Sequence, residues 1–273
     1  MQKSRSMWVL YVVLSILLLI VIMPFIWMVL GSLKTQGELL RVPPNFFPES
    51  PSLDNFGRLF DRLSFGRYFF NSTVVAVVVT LSNLIFCSML GYALAHLNFP
   101  GKRIIFGAVL GTLMIPGLVT FIPQFVLVVN MGLGNTLPAL FLPFLVGPFG
   151  VFLMRQFFLG MPRDILEAGR LDGAGEMGIF FRLFLPLAGP ALATLGILTF
   201  LASWNNFLWP LVVASTEETY TLPVALALVS TGQNQTDYGL LLAGASVVVL
   251  PILVVFLFFQ RWVIEGVATT GIK

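Results

Sequence analysis

A chain of 273 residues that is 58% hydrophobic and only 10% charged, with mean hydropathy +0.95, has too little polar surface to cover a soluble domain of its size. Its net charge of +3, from 15 Lys and Arg against 12 Asp and Glu, is too small to imply a nucleic-acid partner. The lone Cys87 excludes an intrachain disulfide and a cysteine metal site, and it reads as a small residue inside an apolar run.

Lys3 and Arg5 precede an apolar run from Trp8 to Leu30, longer than the core of a cleaved leader, which reads as a retained first span. Crossing about 30 Å of hydrocarbon takes about 20 residues. Runs of that order cover residues 8–33, 71–97, 104–130, 136–154, 187–214 and 238–259. Barrel strands would be shorter and would alternate. The expected fold class is therefore an all-α integral membrane protein of six transmembrane helices, a single domain over residues 1–273.

Between the first two spans, Pro43, Pro44, Pro48 and Pro51 predict an extended segment. Ser52 then stands at the N-cap of a helix whose Leu53, Phe56, Phe60 and Leu63 share one face, with Asp54, Arg58, Asp61 and Arg62 off it. Two readings stay open for that helix: lying on the membrane surface, or packing on the bundle. With the N-terminus cytoplasmic, the inner segments hold ten Lys and Arg and the outer ones five, all five before the second span. Both termini are then expected inside.

No Asp, Glu, Lys or Arg falls within the six runs, so a proton relay of the kind that drives a stand-alone carrier is missing. His96 sits at the inner end of the second run, where an interfacial residue needs no role. Metal-ligand clusters and a G-x-x-x-x-G-K-[ST] loop are both missing, so the chain is expected to bind no metal or cofactor and to be no enzyme. "ASWNNFLWP" brings Trp204, Asn205, Asn206 and Trp209 into the fifth run. Amides there either bond between helices or, beside aromatic rings, line a path for a neutral polyhydroxylated solute. Pro116, Pro123, Pro143 and Pro148 mark kinks in the third and fourth runs.

Seven charges crowd between Arg163 and Arg182, with glycines at 169, 173, 175 and 178. Pro162 suits a first helical turn, "RDILEAGRLD" continues as helix, and Gly173 ends it in the left-handed region. A second helix restarts at "GEMGIFFRLFLP" before Pro186. The segment 160–186 is expected to be a projecting, hinged docking knob between the fourth and fifth runs. Further on, Gly232, Gln233, Asn234 and Gln235 lie in a short polar outer segment. In the tail 260–273, Gly266, Thr269, Thr270 and Gly271 predict no persistent helix.

The spacing E-A-x-x-x-x-G, then nine residues, then L-x-L-P places Glu167, Ala168, Gly173, Leu183, Leu185 and Pro186 in the pattern of the EAA loop. That loop belongs to permease subunits of binding-protein-dependent ABC importers. Gly169 stands where Ala is usual, and Leu183 where Ile is common. "YFFNSTVVA", "MIPGLVTFIPQF" and "QRWVIEGVATTGIK" extend the resemblance over nearly the whole chain, to the smaller permease of the maltose and multiple-sugar systems. The resemblance implies a coupling helix docked on ATPase subunits through Glu167, Ala168, Gly169, Asp172, Gly173 and Glu176. It also implies a second permease, two ATP-binding subunits that hold ATP and magnesium, and an external sugar-binding protein. The tail would reach the ATPase pair, and the setting would be the cytoplasmic (inner) membrane of a bacterium or archaeon. A permease for glycerol-3-phosphate is the alternative, and a secondary transporter or channel working alone the remoter one.

Overall fold

The computed structural model describes residues 2–62, 64–230 and 236–270, the side chains at 2–6, 62, 229–230 and 262–270 excepted. Among these residues every element is helical. In chain order they are α1 (Gln2–Ser32), α2 (Gln36–Leu39), α3 (Asp54–Arg62), α4 (Phe65–His96) and α5 (Lys102–Met114). Then come α6 (Gly117–Asn130), α7 (Leu137–Phe144), α8 (Pro148–Leu159), α9 (Asp164–Leu171) and α10 (Glu176–Leu187). The last four are α11 (Gly189–Trp204), α12 (Leu208–Val213), α13 (Leu222–Ser230) and α14 (Tyr238–Thr270).

Among the described residues three helices, α1, α4 and α14, are long and apolar enough to cross a membrane. The number rises to six if α5 with α6, α7 with α8, and α10 with α11 each form one span. The bends within those pairs are 106°, 40° and 80°. The first two bends lie inside the expected runs 104–130 and 136–154, at Pro116 and just before Pro148, where proline kinks were expected, and the third lies at Ala188, at the start of the run 187–214. Pro116 lacks an N–H and pushes Ile115 to an extended conformation, ψ 120°, which ends α5. Gly147, also extended, precedes Pro148 at the start of α8. Ala188 lies between Pro186 and Pro190. Pro123 sits inside α6 without breaking it.

The final helix overturns the expectation for the tail, since α14 continues to Thr270. A single interior glycine costs about 0.5–1 kcal/mol. Gly266 is therefore too weak a breaker to stop a helix that is already propagating.

The chain divides into two compact units. In the first, residues 1–66 and 225–251, α1 leaves nearly all its apolar side chains from Met7 to Val29 uncovered, as a hydrocarbon-facing helix does. Asn55 is its polar anchor: the buried amide donates to Ser32 O and Lys34 O, both at 2.8 Å, and Gly239 approaches so closely that a Cβ there would lie 2.6 Å from Asn55 Oδ1. Arg58 pairs with Asp237 in the same unit. The inward face of α3 is therefore Asn55 and the wholly buried Leu59, while Leu53 and Phe60, on the expected stripe, stay exposed.

In the second unit, residues 67–224 and 252–273, α4 and α8 meet through glycine. A Cβ on Gly91 would stand 2.8 Å from Arg155 N and from Met154 Cβ, and one on Gly150 would stand 2.9 Å from Cys87 Sγ. This is small-residue packing, which brings membrane helices close enough for dispersion contacts. Asn83 opens a π turn in α4 and repairs the gap between α7 and α8. Its Nδ2 donates to Val79 O at 2.8 Å and Phe144 O at 2.7 Å, and its Oδ1 accepts from Gly147 N at 2.8 Å. Tyr92, Phe158, Phe180 and Phe184 form an aromatic core with rings 5.1–6.4 Å apart.

Candidate functional site

Two sites stand out in the second unit, the hairpin of α9 and α10 and a cavity among the helix breaks. The hairpin turns at Gly173, whose φ is +74°. Gly173 N donates to Arg170 O at 3.1 Å and Ala174 N to Gly169 O at 3.0 Å, the paired bonds of a Schellman C-cap, which a left-handed residue at that position makes available. A Cβ on Gly173 would meet nothing within 4 Å, so the residue is demanded by its backbone and not by space. Gly169 is the opposite case: it is buried, and a Cβ there would lie 3.0 Å from Ile179 Cγ1 and Leu183 Cδ1. The glycine in place of alanine lets α9 lie flat on α10.

Leu166 is buried, whereas Glu167, Ala168, Asp172 and Gly173 are exposed along one edge of the hairpin. Leu171 is 89% exposed and Met177 57%. An apolar tip beside a free carboxylate is a docking surface in chemical terms, offering apolar area together with a charge that accepts strong hydrogen bonds. Glu176 behaves otherwise. Its Oε1 accepts from Arg170 Nε at 3.0 Å and Nη2 at 2.7 Å, and its Oε2 accepts from Tyr92 Oη at 2.9 Å. The carboxylate faces its own chain and braces the hairpin against α4. Sequence reasoning missed Tyr92 and Arg170, because nothing in the sequence marks a tyrosine 84 residues from its acceptor.

The cavity, about 790 Å³, is bordered at three chain breaks: by Ile115 and Gly117, by Val146 to Pro148, and by Ser203 and Asn206. Of the four residues expected on a solute path, only two belong to it. Asn206 lines it, its Oδ1 taking Trp209 N at 3.4 Å. Trp209 also lines it, but is buried, donating Nε1–H to Ala139 O at 3.0 Å and standing edge-on to Phe121 and Phe144. Trp204 lies elsewhere, buried and stacked on Phe200 at 5.6 Å, and Asn205 turns back to Leu201 O at 2.9 Å. Gln124, Thr199 and Ser203 join the lining instead. Gly232, Gln233, Asn234 and Gln235 fall outside the described residues.

On the face that carries the 214–221 loop, Asn135 is a hub. At φ 56° its Oδ1 accepts from Ser215 N at 2.8 Å, Thr216 N at 3.2 Å and Thr219 Oγ1 at 2.6 Å. Asn71 donates to Glu218 O and Tyr220 O, both at 2.9 Å, which pins the other side of the loop. The Thr216 hydroxyl beside Glu218 holds that carboxyl below the usual carboxylate range. Among the described residues no cluster of His, Cys, Asp and Glu could hold a metal.

Broken apolar helices around a cavity, with an exposed, braced hairpin between α8 and α11, are the architecture of a membrane permease subunit. The chain belongs to the family of binding-protein-dependent transport system inner membrane components, which matches residues 87–268. It is 43% identical over 259 residues to the arabinooligosaccharides transport system permease protein AraQ of Bacillus subtilis, covering 93% of this chain and 92% of that one. It is 34% identical to the diacetylchitobiose uptake system permease protein NgcG of Streptomyces coelicolor, over 91% and 83% of the two chains. The fold matches a chain in the crystal structure of a bacterial ABC transporter involved in import of the acidic polysaccharide alginate, with TM-score 0.84, 23% identity, and 96% and 98% of the chains covered.

Proposed function

We propose that this chain is one of two permease subunits of an ATP-driven importer for sugars or oligosaccharides, coupled to its ATPase subunits through the 160–186 hairpin. The observation that carries the coupling is the geometry at Gly173: a Schellman turn leaves Glu167, Ala168, Asp172 and Leu171 exposed, while Gly169 closes the two arms on each other and Glu176 fastens the hairpin to α4. A piece that is both offered and fastened transmits displacement. An ATP-driven closure of the ATPase pair moves the hairpin, and α8 and α11 on either side of it move too.

The sugar class is supported by the relatives, which are named for arabinooligosaccharides and diacetylchitobiose. It also agrees with a cavity lining that holds amides, hydroxyls and aromatic rings and no Lys or Arg for a phosphate such as glycerol-3-phosphate. In this reading the chain sits in a bacterial or archaeal cytoplasmic membrane with both termini inside. The segment with Gly232, Gln233, Asn234 and Gln235 faces the sugar-binding protein, ATP and magnesium belong to the ATPase subunits, and the 260–273 tail reaches them.

The test is co-purification. Leu171→Asp places a charge where the hairpin tip enters an apolar cleft, so the ATPase subunits should be lost from the purified complex while the second permease stays. Retention of the ATPase subunits at wild-type stoichiometry would sink the docking assignment.

A further inference from the structure

The strongest remaining feature is the cavity bordered by α4, α5, α6, α7, α8, α11 and α12. Non-helical backbone at membrane depth persists only where protein covers it or where it borders a watered cavity. Here three separate breaks converge on one space. Its volume, about 790 Å³, lies within the range of small-molecule sites, about 300–1,000 Å³.

Its polar groups are free to act. Among the described residues no hydrogen bond is made by the side chains of Gln124, Thr199 or Ser203, all half-buried in the wall, and Asn206 leaves its Nδ2 unused. Asn83, by contrast, is consumed at both ends in holding the break and serves as scaffold. Phe121 and Phe144 form the apolar wall, held edge-on to the buried Trp209 beside them.

We propose that this cavity is a subsite on this chain for one ring of a neutral sugar, with Gln124, Thr199, Ser203 and Asn206 bonding its hydroxyls and Phe121 and Phe144 covering its apolar face. The assignment deepens the sugar reading above and rests on it. Amides and hydroxyls both donate and accept, which is what a ring of hydroxyls requires. No charged residue lines the space, so a uronate or a phosphate would leave water with no counter-charge. Trp204 and Asn205 take no part.

The experiment uses the assembled importer in vesicles, with its binding protein, and follows uptake of arabinotriose and diacetylchitobiose, drawn from the two sugar classes for which the relatives are named. Gln124→Leu and Ser203→Ala should each slow uptake of the transported sugar about two- to tenfold at equal complex content, the range of one or two neutral hydrogen bonds. Ser203→Cys should react with a water-soluble methanethiosulfonate, and the transported sugar should slow that reaction during turnover; the wholly buried Cys87 is a silent background.

Three results overturn the proposal. Ser203→Cys that never reacts means that lipid or the second permease fills the space. Reaction that no sugar slows, with Gln124→Leu transporting normally, means a water pocket only, and leaves the importer reading standing. A wild-type complex that moves neither sugar removes the sugar reading, and the subsite with it.

Discussion

Tyr92 Oη donates to Glu176 Oε2 at 2.9 Å, joining the C-terminal end of α4 to the first residue of α10, just past the hairpin turn, across 84 residues of chain. The other carboxylate oxygen holds Arg170 from the far arm of the hairpin at 2.7 Å. One side chain thus ties three segments together, so displacement of α9 is felt in α4 without passing through Gly173.

Tyr92→Phe removes the hydroxyl and leaves the ring among Phe158, Phe180 and Phe184. The loss is one hydrogen bond to a charged, half-exposed acceptor, about 1 kcal/mol. The purified complex should unfold at a slightly lower temperature, and stimulated ATPase should fall more than basal ATPase. Glu176→Gln, which gives up one acceptor oxygen and the ion pair with Arg170, should lower both at least as much. Equal loss of the two ATPase rates in Tyr92→Phe would mean that the bond only stabilises.

Gly91→Ala should be costly and Gly107→Ala harmless. The first puts a Cβ 2.8 Å from a backbone nitrogen on α8, and the second meets nothing within 4 Å. Overpacking at a tight helix contact costs about 1–3 kcal/mol. Thermal unfolding of the two purified variants compares them directly, and similar midpoints would show that α4 and α8 are not packed this closely.

Orientation is testable with two exposed positions. Glu218→Cys, on the loop pinned by Asn135 and Asn71, should react with an impermeant thiol reagent in intact cells, and Ala174→Cys, beside the hairpin turn, should react only after the cells are opened. Asn135 itself is a poor probe, because replacing it releases the whole loop. Outside reaction at Ala174→Cys would invert the topology.

Hydrophobic runs made the membrane class legible, and the turn at Gly173 could be named because few residues accept φ +74°. Less legible were the breaks. A proline announces a lost hydrogen bond but not the angle, so 106° at Pro116 and 40° before Pro148 come from tertiary packing and from the repair at Asn83. Polar residues were recognised as candidates without their direction. Asn205 and Asn206 are neighbours, yet the first bonds its own helix and the second faces the cavity, since consecutive residues at a helix end diverge by about 100°. Glu167 and Glu176 divide for a similar reason: only the second has a tyrosine opposite it.

The central claim is that the hairpin transmits ATP-driven motion, and the most direct measurement is uptake together with binding-protein-stimulated ATPase for Gly173 variants in reconstituted vesicles. Gly173→Val forces a β-branched residue into a left-handed turn, a strain of about 1–3 kcal/mol that re-aims the tip, while Gly173→Asn fits the same turn with little strain. Since a Cβ at this position meets no neighbour, crowding does not confuse the comparison. At equal complex content, Gly173→Asn should transport close to the wild-type rate. Gly173→Val should lose about tenfold or more in uptake, and its ATPase should no longer depend on the loaded binding protein. Wild-type uptake by Gly173→Val would contradict the account.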